Sequence, residues 1–385
     1  MDKIADHYHR RFKSLPTLVG SAPGRVNLIG EHTDYNKGYV LPIGIDRCLD
    51  FAFEKTKDDI IQIQSLDLDQ SISLKDLQKQ NDKTWSNFFI GILLQLKKRG
   101  FEIGGFNLVF GGNIPIGGGL SSSSALECGF LKILNAAYDL GLNNMEIIEI
   151  SRASNHDFLG LQGGIMDQFS VLHAIPDHAM LLNCDSNEYE QIPIDFKDYD
   201  LIVIDSKVSH SLIHSGYNDR VQEGKMALAI IQEKFPIVKH LSQVNKSHLR
   251  SVKTNISATL YSRVQFIIEE NERVHQFCQS ISKGNMAQIG ELIFSSHNGL
   301  KNLYEVSCDE IDLLVDLASK CDEVLGARMI GGGFGGCTLN LIQARNAQKT
   351  AQKISRSYRS ITGIDSDIYP IKISGGAKVY PFIKS

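Results

Sequence analysis

The sequence predicts an α+β fold in two domains, and three observations carry that expectation. At 385 residues, with 42% hydrophobic and 22% charged residues, the chain is long enough for two sizeable cores and ordinary in composition for a globular protein. Strand-like and helix-like periodicities are mixed without strict strand–helix–strand alternation, which argues for α+β. The second half turns helical. A polar stretch at 184–199, opening Cys184-Asp-Ser-Asn-Glu-Tyr-Glu, is the boundary candidate, giving domains at 1–195 and 196–385.

Segment 39–65 alternates as strands do, as in Phe51–Thr56 and Ile60–Gln64. Residues 66–84 are polar and read as a loop with a short strand. Trp85, Phe88, Phe89, Ile92, Leu93 and Leu96 fit a helix with one buried face. Gly105–Phe110 is strand-like, and 120–138 and 145–159 read as helices. Ala179–Asn183 and Leu201–Asp205 read as buried strands. Helices are expected at 218–235, 256–281, 285–302 and 309–321. Strands at 325–330 and 336–342, a helix at 344–358 and a strand at 367–373 close the chain. No fixed-period repeat is present.

A net charge of −4 and a pI near 6.3 argue against a nucleic-acid partner. Lys97-Lys-Arg99 reads as a solvated helix end. No run approaches the ~18 apolar residues of a membrane span, and Met1–Arg11 lacks the apolar core of a signal peptide. Seven scattered cysteines without Cys-x-x-Cys suit reduced thiols and a cytoplasmic location. His210 and His214 could share a helical face, but solvated or core histidines explain them without a metal.

Three segments carry chemistry. Gly111-Gly-Asn-Ile-Pro-Ile-Gly-Gly-Gly-Leu-Ser-Ser-Ser-Ser-Ala-Leu126 runs a glycine-rich loop into a serine-capped helix. Such a loop turns backbone N–H groups toward one point, and the helix N-terminus adds free donors and partial positive charge. That makes a seat for phosphate oxygens, yet no Gly-Lys-Ser/Thr follows, so it is not the Walker loop. Pro23–Asn36 packs Arg25, Glu31, His32, Asp34 and Asn36 among short apolar residues, which suits a polyhydroxylated ligand. Gly331-Gly-Gly-Phe-Gly-Gly336 implies a close approach of backbone to another group or loop.

In order and spacing these segments resemble the three motifs of the GHMP small-molecule kinases. Gly24-Arg-Val-Asn-Leu-Ile-Gly-Glu-His-Thr-Asp-Tyr-Asn36 is similar to the galactokinase signature in particular. Trp85–Phe88, Gly164–Phe169, Ser209–Leu212, Tyr304–Cys308 and Arg328–Thr338 extend the likeness through most of the chain. The resemblance implies an N-terminal domain like domain 2 of ribosomal protein S5, a ferredoxin-like C-terminal domain, and a site in the cleft between them. It implies ATP and Mg²⁺ as cofactors, a small-molecule sugar as substrate and a monomer. The spelling favours galactose, phosphorylated at the anomeric hydroxyl. N-acetylgalactosamine or arabinose kinases, and a non-catalytic sugar sensor, are the alternatives.

Residue by residue, the resemblance assigns Arg25 and Asp167 to catalysis. Asp167 either removes the proton of the sugar hydroxyl or only orients it. Glu31, His32, Asp34, Gly164 and Tyr217 match sugar contacts. Gly117, Gly118, Gly119, Leu120, Ser121, Ser122, Ser123 and Ser124 form the phosphate cradle, with Ser123 on the metal. Those serines could also merely cap the helix. Trp85 and Phe88 match positions near adenine, though helix-core packing explains the same spacing. One departure stands out. In Ala153-Ser-Asn-His-Asp157, Asn155 occupies the position where the family carries a glutamate that serves Mg²⁺.

Overall fold

The computed structural model describes residues 2–115, 117–161, 163–209 and 213–384. His210, Ser211 and Leu212 of the quoted segment Ser209–Leu212 therefore lie outside the described residues, as does one member of the His210/His214 pair. The α+β class holds, with helices and sheets in separate layers.

The largest sheet has seven strands. Its order is Lys378–Pro381, Leu18–Asn27, Pro42–Lys55, Phe106–Gly112, Ile61–Ser65, Gln70–Leu74, with Ile373–Ser374 also paired to Pro42–Lys55. Only Ile61–Ser65 and Phe106–Gly112 run parallel. Helix Ser122–Tyr138 packs across this sheet, and helix Asn87–Lys98 packs beside it. Phe51, Phe89, Phe110 and Phe130 are among the aromatics of the core between them. Phe89 and Phe130 meet edge-on at 4.8 Å.

The register of Leu18–Asn27 against Pro42–Lys55 slips between Pro23 and Arg25. Pro23 has no N–H to give the ladder, and such bulges re-aim neighbouring side chains. Gly24 lies in the slip. A Cβ there would come within 2.8 Å of the Leu120 carbonyl oxygen, which accepts from the Arg25 N–H at 3.1 Å. The Gly111–Leu126 loop can reach the strand only because residue 24 has no side chain.

A second sheet has the antiparallel order Val324–Met329, Gly335–Gln343, Tyr199–Ser209, Asp367–Ile371. Alternate residues point to opposite faces. Leu201, Val203, Leu339 and Leu341 join the large core, whereas Ile202, Ile204 and Ile342 join a separate one with helices Asp309–Ser319 and Ala347–Thr362. A third core gathers around helices Ile213–Lys234 and Ala258–Ser282.

Several elements differ from expectation. Trp85 lies in a 3₁₀ turn, Thr84–Ser86, ahead of helix Asn87–Lys98. The helix expected over 145–159 is Asn144–Ser154 followed by a π-turn, Asn155–Leu159. The polar stretch 184–199 contains the strand Tyr189–Pro193, hairpinned to His178–Asn183. Helices Asp2–Phe12, Met166–His173 and Lys246–Ser251, and strand Lys378–Pro381, were not anticipated.

Candidate active site

A cavity of about 600 Å³ gathers most of the singled-out residues. Arg25, Glu31, His32, Asp34, Ser123, Ser124, Asn155, Gly164, Asp167 and Tyr217 all line it, as do Gly331 and Gly332. Gly117, Gly118, Gly119, Leu120, Ser121, Ser122, Trp85 and Phe88 do not. Trp85 packs edge-on against Phe89 and donates its indole N–H to Gln70 Oε1 at 2.7 Å.

Arg25 leaves the bulged strand and is 5% exposed. Its Nε donates to Asp167 Oδ1 at 2.8 Å, and Nη1 donates to the Gly119 carbonyl at 2.6 Å. One guanidinium thus ties the glycine-rich loop to the aspartate. Burial works against its charge, but Asp167, Glu31 and Asp34 together leave its pKa above the usual value.

Ser121 corrects the expectation of a serine cap. It is in the left-handed region at φ 59° and makes no side-chain cap bond. Its hydroxyl instead donates to Asp167 Oδ2 at 2.5 Å. Each oxygen of Asp167 therefore has a donor, from Arg25 on one side and Ser121 on the other. The 17-residue helix behind Ser121 begins uncapped, so its first N–H groups remain available to an anion. Gly331 lies against this loop: a Cβ on it would come within 3.2 Å of Gly119 Cα. The third glycine-rich segment therefore packs backbone to backbone on the first.

His32, Asp34 and Tyr217 form the other end. Burial and the nearby Arg220 charge push the His32 pKa down to about 3, so its ring is neutral. Its Nδ1 bonds the Tyr35 hydroxyl at 2.8 Å, and its buried Nε2 has no partner. Tyr217 packs against His32 with ring centroids 5.6 Å apart. Burial, then the neighbouring Asp167, raises Asp34 to about 7. Gly164 is pressed against Asp34, and a Cβ there would fall 1.8 Å from Asp34 Oδ2.

Glu31 is 2% exposed. Its Oε1 accepts from Arg328 Nη2 at 2.6 Å and from the Gly331 N–H at 3.0 Å. Asn155 donates from Nδ2 to Glu127 Oε2 at 3.0 Å, while its own Oδ1 is buried without a partner. Ser151 also donates to Glu127 Oε2. Burial lifts Glu127 to about 8. Sequence reasoning missed Glu127 and Arg328 as site-supporting residues. Arg328 stood inside a quoted motif, whereas nothing marked Glu127.

Residues 87–174 match the GHMP kinases N terminal domain, 6–55 the galactokinase galactose-binding signature and 277–360 the GHMP kinases C terminal family. The chain is 38% identical to the galactokinase of Thermosipho africanus over 355 residues, covering 92% of this chain and 97% of the relative. It is 36% identical to the galactokinase of Thermotoga maritima over 357 residues, covering 93% and 98%. The Lactococcus lactis galactokinase structure, solved in complex with galactose, superposes with a TM-score of 0.93 at 31% identity, covering 98% and 99%. A Methanococcus jannaschii mevalonate kinase shares the fold, with a TM-score of 0.67 at 18% identity over 93% of this chain and 98% of that one. With a GHMP kinase fold and relatives this similar over nearly its whole length, the chain belongs to the galactokinase family.

Proposed function

We propose that this protein transfers the γ-phosphoryl group of ATP to the anomeric hydroxyl of D-galactose, giving galactose 1-phosphate and ADP, the entry step of galactose breakdown. The observation that carries this reading is the Arg25–Asp167–Ser121 constellation, placed between an uncapped helix N-terminus and a pocket of hydroxyl-binding groups. Phosphoryl transfer asks for a seated donor, an aligned acceptor and stabilisation of charge in transit. Backbone N–H groups along Gly117–Ser124 seat the phosphates, with the Ser122, Ser123 and Ser124 hydroxyls as further donors. Glu31, His32, Asp34, Gly164 and Tyr217 hold the sugar. Asp167 receives the anomeric hydroxyl, and Arg25 stabilises the phosphoryl oxygens. Because Asp167 already accepts from Arg25 and Ser121, its first task is to orient the hydroxyl. Trp85 and Phe88, away from the cavity, support the adenine end through the core they join.

Mg²⁺ fits the donor set. Among the described residues no group of three or more His, Cys, Asp or Glu could hold a metal. Mg²⁺ commonly takes one or two protein oxygens and fills its shell with phosphate and water. Ser123 and the unpartnered Oδ1 of Asn155, both lining the cavity, would hold it. Bound there, the ion offsets the phosphate charge. Domain limits at 195/196, a monomeric state and a cytoplasmic location belong to the same proposal; no helix among the described residues is long and apolar enough to cross a membrane.

A coupled ADP-release assay over a panel of free sugars tests it. Galactose should exceed glucose in kcat/KM, because a site that hydrogen-bonds one hydroxyl rejects its epimer. Asp167→Ala and Arg25→Ala should each lose ~10²–10³-fold in turnover while remaining folded. Preference for an acetamido sugar or arabinose would move the substrate assignment. Galactose binding without ADP release would make the protein a sensor.

A further inference from the structure

Behind the sugar end of the cavity lies a buried charged network that meets the phosphoryl-transfer scheme only at Glu31. Arg328, on strand Val324–Met329, has no exposed surface. Its Nη2 donates to Glu31 Oε1 at 2.6 Å and to the Asn27 carbonyl at 3.0 Å, and its Nη1 donates to Ser296 Oγ at 3.2 Å. Ser296 in turn donates to Glu270 Oε1 at 2.7 Å. The same Glu270 oxygen accepts the Gly30 N–H at 2.9 Å, one residue before Glu31. Glu270 is itself unexposed and is paired through Oε2 with Arg273 Nε at 2.6 Å.

The geometry points to Arg328 as a positioning residue for sugar recognition. The Arg328 guanidinium and the Gly331 N–H both fix Glu31 Oε1, so the carboxylate is held in one orientation at the cavity wall. Glu270 fixes the preceding peptide. The proposal rests on the reading of Glu31 as a sugar contact. A buried ion pair is a poor device for stability, since desolvation offsets most of the attraction. Arg328 also leaves its buried Nε without a partner, a cost that packing alone would not select. Such a network does fix geometry, and a hydrogen-bonding site works only when its groups are held within about half an ångström. The fixing group comes from the four-stranded sheet, whereas Glu31 follows a strand of the seven-stranded one. Sugar affinity thus depends on how the two sheets seat on each other.

The test measures galactose affinity by calorimetry, alongside sugar KM, ATP KM and kcat, for Glu31→Ala, Arg328→Lys, Ser296→Ala and the double variant Glu31→Ala/Arg328→Lys. Arg328→Lys keeps the charge but loses the fork that reaches Glu31, Asn27 and Ser296 together. It should weaken galactose binding and raise sugar KM about 10-fold, the scale of a lost charge-assisted hydrogen bond. ATP KM should change less than about twofold, and galactose-over-glucose preference should fall. In the Glu31→Ala background the lysine variant should add no further loss, because residues acting through one another are non-additive. If Arg328→Lys does not fold, Ser296→Ala carries the test. It keeps every charge, frees Nη1 and should raise sugar KM about threefold. Unchanged galactose affinity in the folded lysine variant, or in Ser296→Ala where that variant stands in, would overturn the proposal, as would additive losses in the double variant. Unchanged affinity in Glu31→Ala would instead overturn the sugar-contact reading beneath it.

Discussion

Burial is the largest influence on three ionisable side chains at and behind the cavity wall. It lowers His32 to about 3, lifts Asp34 to about 7 and lifts Glu127 to about 8. Glu127 offers the cleanest measurement. An unfolded glutamate titrates near ~4.3, so between that pH and about 8 the folded state holds a proton that the unfolded state has lost. Its contribution to stability is complete below pH ~4 and is lost as pH rises through the folded value. Glu127→Gln keeps the shape and removes the titration. In chelator, its melting temperature should match the parent's near pH ~4 and exceed it near pH ~9. Parallel melting curves across that range would mean that Glu127 titrates normally. Gly164 gives a second residue-scale expectation. A methyl group there would displace the Asp34 carboxylate, so Gly164→Ala should raise sugar KM about 10-fold or more while ATP KM holds. An unaltered sugar KM would take Asp34 out of recognition.

At the scale of elements, the helix Asn144–Ser154 and the π-turn after it bring Asn155 to the cavity wall beside Glu127. Asn155→Glu would add an anionic oxygen where the metal is proposed, and would set two carboxyls side by side. Apparent Mg²⁺ affinity should rise. The metal-free variant should melt lower than its parent, with the difference closing as Mg²⁺ is added, because a ligand bound only by the folded state stabilises it by mass action. A variant that melts identically with and without Mg²⁺, and has the parent's Mg²⁺ dependence of kcat, would place Asn155 off the metal. Elements with a clean period were legible in sequence: the helix expected at 256–281 is Ala258–Ser282, and the strand expected at 336–342 is Gly335–Gln343. Leu18–Asn27 was not, because Pro23-Gly24 in its middle argues against a central strand, and only the tertiary bulge makes it one. The helix carrying Asp167 has eight residues, too few for periodicity to show. Trp85 continued an apolar stripe past the point where the backbone becomes helical. The cavity's lining was largely legible because it sits in short glycine-rich and polar segments. Its buried supports were not, since Arg328 and Glu31 stand 297 positions apart and only the fold joins them.

Across the whole molecule, the end of the chain returns to its beginning. Lys378–Pro381 pairs with Leu18–Ser21, the outer half of the strand whose inner half carries Arg25. Ile373–Ser374 pairs with Gly44–Ile45 on the next strand. The Gly376 and Ala377 N–H groups donate to the carbonyls of Ala174 and Val171, each at 2.7 Å, at the end of the helix that carries Asp167. Phe382 packs with Ile4, Tyr8, Val19, Ala52 and Val109, a small core between the sheet and the first helix. The tail therefore braces both elements that position the Arg25–Asp167 pair while touching neither residue. A chain stopped after Ile371 should lose these bonds and expose Leu18–Ser21 as an open edge, a template for intermolecular pairing. We expect a melting temperature lower by roughly 5 °C or more, aggregation on storage and a fall in kcat larger than the change in either KM, because the disturbance reaches the pair proposed for the chemistry before the groups proposed for binding. Phe382→Ala is the milder companion. It keeps the strand and removes only the half-buried ring, so it should lower the melting temperature by less and leave kcat near the parent's. A truncated protein that melts and turns over like the full chain would show that the seven-stranded sheet holds Arg25 without its outermost strand.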